Sequence, residues 1–161
     1  MKGKRETGFS LVELMIVVSI IAFLSVIAIP GFFKFLAKAK RAEAYMNLGS
    51  IYTSQKAYWA EHGKYSSDLS GSGGIGWKPE GYSAGGKNEN FYYTYGFGSG
   101  AEGRNYFTGK LETPHMHLSM TNAGEKGFVV GAAGDIDGDG EPEVLSIDQF
   151  SNIKIIKDDL Q

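Results

Sequence analysis

The sequence predicts an α+β protein, in which a long N-terminal helix packs on a C-terminal antiparallel sheet of about four strands. Three observations carry that expectation. Residues 14–33 hold no charge at all, and a helical spacing of apolar residues continues beyond them to about residue 62. Past Gly63 most of the 23 glycines separate short aromatic or alternating runs, the pattern of strands joined by turns. With 161 residues there is room for one globular domain and an appendage. The absence of cysteine excludes disulfides, thiolate metal sites and cysteine nucleophiles. A net charge of -2 provides no basic field and argues against nucleic acid as a partner.

The uncharged run of twenty residues is interrupted only by Ser19, Ser25, Pro30 and Gly31. As a helix it spans about 30 Å, the thickness of a bilayer core. Lys2, Lys4 and Arg5 precede it, and basic flanks stay cytoplasmic, so the body of the protein belongs on the outer side. An ordinary secretory signal has an apolar stretch of only about 7–15 residues and then a small-residue cleavage site. A plain membrane anchor explains the length but not Glu13, a carboxylate at the start of the run. Such a group costs about 2.5–3.5 kcal/mol at a membrane helix centre and less near an end, which makes it a functional residue in search of a partner.

The string Gly8-Phe9-Ser10-Leu11-Val12-Glu13 resembles the class III signal of type IV pilins and pseudopilins. The resemblance continues through Met15-Ile16-Val17-Val18 and Ala28-Ile29-Pro30, covering about the first third of the chain. It implies that a prepilin peptidase cuts between Gly8 and Phe9 and that Phe9 becomes an N-methylated terminus. Glu13 is then the fifth mature residue, where the family has glutamate. Cleavage creates a cationic amine on Phe9. In an assembly staggered by about one helical turn, that amine meets Glu13 of the next subunit, and pairing offsets the burial cost of each charge. Phe9, Glu13, Pro30 and Gly31 are therefore the expected assembly residues, with a kinked or locally melted helix at Pro30-Gly31.

The implied organisation is a leader at 1–8, a membrane and filament-core helix at 9–33, an amphipathic helix at 34–62 and a β-rich head at 63–161. Tyr45, Leu48, Ile51, Tyr52, Gln55, Tyr58 and Trp59 recur at helical steps and are expected to face a sheet. Lys34, Lys38, Lys40 and Arg41 form a basic cluster, expected against anionic lipid or inside an assembly. Glycine should end the helix near His62-Gly63. Residues 47–58 resemble pilins of the deltaproteobacterial type. Residues 64–90 read as a loop anchored by Trp77-Lys78-Pro79. Strands are expected at 91–97, 115–120, 127–133, 143–148 and 152–157. His115 and His117 would share an exposed strand face, without a third ligand to make a metal site.

Asp135-Ile136-Asp137-Gly138-Asp139-Gly140-Glu141-Pro142-Glu143 has calcium-loop spacing. Carboxylates at positions 1, 3 and 5 converge, glycine at position 6 permits the turn, and position 7 offers a carbonyl. Ser146 stands where an EF-hand has its bidentate glutamate, so the loop is no EF-hand. Asp135, Asp137, Asp139, Glu141 and Glu143 are the candidate metal ligands, and Ca2+ the candidate ion. Loss of residues 1–8 removes three cations and one anion, leaving a mature charge of -4; without the loop's five anions it would be +1. A bound cation would staple a hairpin in a domain that has no disulfide.

No catalytic constellation is legible, so the expected function is structural. The resemblance implies a subunit that polymerises with itself into an extracellular type IV pilus for adhesion or motility. Its partners would be the prepilin peptidase, the inner-membrane assembly machinery and, before assembly, the membrane. The runner-up is a pseudopilin of a type II secretion system. Less favoured is a non-polymerising, membrane-anchored calcium-binding adhesin, which would need no peptidase site at Gly8.

Overall fold

The structure, a computed structural model, describes residues 8–160. Most of the expected leader therefore lies outside the described residues. One α-helix, α1 (Leu11–His62), precedes all strands. It runs through Pro30-Gly31 without a melted segment, one of the two outcomes expected there. Proline removes one backbone donor and crowds the previous turn, while the hydrogen bonds on either side continue to hold so long a helix. At its far end Gly63 takes φ +68° and donates its N–H to the Trp59 carbonyl at 2.8 Å, a left-handed cap that glycine adopts without strain.

The chain divides into two compact units, Met1–Leu36 and Ala37–Gln161. In the first, every helical residue from Leu11 to Leu36 is exposed except half-buried Ser25, whatever the direction it faces on the helix. In the second, burial is confined to one stripe of α1: Ala37, Ala44, Leu48, Ile51 and Gln55. Tyr45 and Trp59, expected in that stripe, lie on the exposed surface. The 3.6-residue repeat turns Tyr45 away from the contact face, and Trp59 lies beyond Gln55, the last buried residue of the stripe. Trp59 instead stacks on Tyr65 and Tyr58 on His62, both beside the helix end.

The sheet has the order β2-β1-β4-β5-β6, all neighbours antiparallel, with β3 also paired to β4. Its strands are β1 (Thr94–Gly96), β2 (Tyr106–Phe107), β3 (Asn122–Ala123), β4 (Phe128–Gly134), β5 (Glu143–Asp148) and β6 (Ile153–Lys157). Alternation along β4 and β5 places Phe128, Val130, Ala132, Leu145 and Ile147 in one core with Leu48 and Ile51 of α1. The aromatic run expected as a strand supplies Tyr93, Tyr95 and Phe97 to the same core, although only Thr94–Gly96 pair as strand.

Residues 115–120 are not a strand. Pro114 leads into a 3-10 turn (His115–Leu118) that drops Leu118 onto the opposite face of the sheet, against Ala133 and Val144. That close approach requires Gly131, since a Cβ there would lie 2.8 Å from Leu118 Cδ2. Met116, which strand alternation would align with Leu118, is 66% exposed. His115 stacks on Tyr106 at 4.3 Å between ring centroids.

Polar side chains fasten the long loop after α1. Trp77 is buried, meets Tyr95 and Phe107 edge-on, and donates its Nε1–H to Ser50 Oγ. Gln55 holds Ser66 by two bonds, donating to its carbonyl and accepting its N–H. Buried Glu89 accepts the N–H groups of Ser83, Ala84 and Gly85 and the Ser83 hydroxyl. Burial works against that charge, but the amides prevail and draw its carboxyl down to about 2. A depressed acid stabilises the fold above its ordinary titration range and loses that contribution as pH falls. Glu89→Gln should therefore cost about 2 kcal/mol at neutral pH. In denaturant titrations the gap between variant and parent should close as pH drops from about 4.5 towards 2.

Candidate functional site

Two regions carry the residues singled out in the sequence. At the start of α1, Glu13 reaches back to Ser10. Its Oε2 accepts the Ser10 N–H and hydroxyl, each at 2.9 Å, while Ser10 Oγ accepts the Glu13 N–H at 3.1 Å. This is a capping box, and the Ser-x-x-Glu spacing that signals it stands in the sequence at positions 10–13. Glu13 thus has hydrogen-bond partners at its own helix start, which the search for a partner across a subunit boundary did not consider. Gly8 and Phe9 precede the helix and are exposed. Below the box the helix is long and apolar enough to cross a membrane, and no described residue before Ala37 is buried.

The second region is the connection between β4 and β5. Here Asp135, Asp137 and Asp139 bring carboxylate oxygens together with one from Asp159, all within 4.8 Å of one another. The loop shapes itself with its own amides: Gly138 and Gly140 donate to Asp135, Asp139 donates to Asp137, and Glu141 donates to Asp139. Asp159 Oδ2 accepts the N–H groups of Ile136 at 2.8 Å and Asp137 at 3.3 Å. Burial raises the Asp159 carboxyl above the usual aspartate range, and the charges of Asp137 and Asp135 add to the rise.

Glu141 and Glu143, grouped with these ligands in the sequence, go elsewhere. Glu141 pairs with Lys157 of β6 at the exposed edge. Glu143 opens β5 opposite Gly134 and is fully buried. It shares the strand phase of Leu145 and Ile147, so it points towards α1, where it pairs with Arg41 and accepts the Tyr93 hydroxyl at 2.6 Å. Arg41 also pairs with Asp158. Burial raises the Glu143 carboxyl. For Arg41 burial opposes the charge, but the bonds to Asp158 and Glu143 outweigh it and hold the guanidinium charged.

Lys40 and Arg41 are thus structural cations, not part of a lipid-facing cluster. Lys40 donates to the Ile136 carbonyl at 2.7 Å and ties the acidic loop to the helix. Asp159 and Asp158 were missed because they follow the loop only after the whole of β5 and β6, where local spacing carries no signal. Glu143 could have been found from its two-residue step to Leu145 and Ile147.

An apolar helix headed by a capped glutamate and a head in which its second half packs on a sheet are the two features set against known proteins. Residues 3–29 match the family described as the prokaryotic N-terminal methylation motif. Over 76 residues, 47% of this chain and 33% of the relative, the sequence is 50% identical to the type IV major pilin protein PilA of Myxococcus xanthus. It is 37% identical over 71 residues to prepilin peptidase-dependent protein D of Escherichia coli, covering 44% of this chain and 49% of the relative. Against the type IV major pilin protein PilE1 of Neisseria gonorrhoeae it is 31% identical over 68 residues, 42% of this chain and 41% of the relative. The matched segment spans less than half the length of each of these relatives.

Removing one member of a buried ion pair strands the other in the core, at about 3–5 kcal/mol. Arg41→Met should lower stability by that amount, read as a drop in the denaturation midpoint, whereas the exposed-edge variant Lys157→Met should change it by less than about 1 kcal/mol.

Proposed function

We propose that this chain is a structural subunit of a type IV pilus: a single-pass inner-membrane precursor, cut after Gly8, methylated at Phe9 and polymerised into a surface filament. The observation that carries the reading is the unburied apolar helix from Leu11 to Leu36, headed by Glu13. Such a surface needs lipid first and other copies of itself afterwards. The relatives named as type IV major pilins and prepilin peptidase-dependent protein support the order of events. The role is a non-catalytic one, and its further partners are the peptidase and an inner-membrane assembly apparatus.

Cleavage changes the surroundings of Glu13. In the precursor it accepts from Ser10; after cleavage the amine of Phe9 on an adjoining copy becomes a stronger, charge-assisted donor. Glu13→Ala should be cut normally yet leave that amine unpaired in an apolar core, at about 3–5 kcal/mol. Sheared filaments counted by electron microscopy, with their main protein identified by mass spectrometry, should fall by at least about tenfold. Replacing Gly8 should leave residues 1–8 attached and give no filaments. Normal filament numbers from the Glu13→Ala strain would defeat the pairing.

The acidic connection is proposed as a calcium loop, with Asp135, Asp137, Asp139 and Asp159 as the carboxylates that would hold the ion. Four oxygens that converge within 4.8 Å suit a hard cation better than a set spread along 135–143. Titration calorimetry on the full-length chain in detergent should give a calcium-binding heat that Asp137→Ala abolishes. Absence of heat at millimolar calcium would sink this assignment and leave the filament role untouched.

A further inference from the structure

Residues 158–160 make attachments to three separate parts of the sheet-bearing unit. Asp158 pairs with Arg41 of α1. Its Oδ1 also accepts the Leu160 N–H at 3.0 Å, which curls the segment. Asp159 is buried and receives the Ile136 and Asp137 amides, so it closes over the acidic connection. Leu160 packs against the main core. Three consecutive residues therefore bridge the helix, the core and the β4–β5 connection.

These attachments do not all pull one way. At Arg41 the segment brings a second carboxylate to a cation already paired with Glu143, so closure is favoured there. At the other end Asp159 is pressed among Asp135, Asp137 and Asp139, and among the described residues none of these four carboxylates forms an ion pair. The nearby cations are engaged elsewhere: Lys40 on the Ile136 carbonyl, Arg41 on Asp158 and Glu143, and Lys157 on Glu141. Like charges at such separations repel appreciably near a protein surface. The amides of Ile136 and Asp137 hold Asp159 in place against that repulsion.

We propose that residues 158–160 are an electrostatically loaded latch: anchored on Arg41 and in the core, they fix the acidic connection, and carboxylate repulsion at Asp159 sets how often they open. Opening frees the Ile136 and Asp137 amides together with Asp159, so the two ends of the latch exchange order as a unit. Closure by a divalent cation follows as a consequence that rests on the calcium assignment above. The latch itself does not need it.

The test is hydrogen exchange, read by mass spectrometry, on the full-length chain in detergent with chelator present. Asp159→Asn keeps an oxygen to accept the two amides and removes the charge. It should slow exchange at Ile136 and Asp137 by roughly tenfold relative to the parent, because local opening sets that rate. Asp158→Asn weakens the Arg41 anchor and should speed exchange roughly tenfold both at 158–160 and at Ile136 and Asp137. Unchanged or faster exchange in Asp159→Asn overturns the loading. An Asp158→Asn effect confined to its own segment overturns the coupling. Adding millimolar calcium to the parent should reproduce the Asp159→Asn pattern. If calcium has no effect while Asp159→Asn still slows exchange, the cation assignment fails and the latch stands.

Discussion

A single helix of 52 residues has to meet two different demands, and the rest of the molecule follows from how it does so. From Leu14 to Phe33 no side chain is charged and apolar residues lie on every face, so no arrangement against one sheet could cover them all. From Ala37 onward the same helix narrows its apolar surface to a stripe one face wide, which a sheet can cover. The change falls at residues 36 and 37, where the two compact units divide. Helical geometry makes this possible without a loop, because backbone hydrogen bonding is internal to the helix in either surrounding.

The stripe alone would allow the helix to slide or rotate on the sheet, since apolar contact is not directional. Buried polar groups remove that freedom. Arg41 meets Glu143, Glu43 accepts the Tyr92 N–H and the Tyr95 hydroxyl, and Gln55 holds Ser66. Each of these side chains has one place where its partner is within reach. A shift of the helix by one residue would leave a charge or an amide unpaired in the core, at a cost of several kcal/mol per ion. The aromatic core provides most of the driving force, and these bonds choose the register.

The same division explains what the sequence made legible. The apolar run, the glycine at the helix end and the strands at 127–133, 143–148 and 152–157 are local patterns of composition and period, and they stand within a residue or two of where they were expected. The 115–120 segment alternates as a strand would, yet Pro114 and the space above Gly131 turn it into a 3-10 step that fills the second face of the sheet. Alternation is ambiguous over six residues when a tertiary gap needs filling. Tyr45 lies off the stripe in angle, while Trp59 has the right angle but stands past Gln55, where burial on the helix ends. At the acidic loop, spacing identified Asp135, Asp137 and Asp139. The partner that closes the group, Asp159, comes from the chain end and leaves no trace in local spacing.

The sheet-bearing unit is rich in loops and has no disulfide. Each long connection is instead held by an anionic or amide side chain that gathers backbone N–H groups: Glu89 for 83–85, Asp148 for Phe150 and Asn152, Asp159 for Ile136 and Asp137. The chemistry is alike but the surroundings are not. Around Glu89 and Asp148 the amides outweigh burial, and both carboxyls are held below their ordinary range. Around Asp159 burial, with the charges of two further aspartates adding to it, reverses the balance. Two of the clamps are therefore settled by their own backbone. The third is closed against a standing repulsion, and it is the clamp that joins the chain end to the helix through Arg41. Of these three clamps it is the one at which an added positive charge would remove an opposing force.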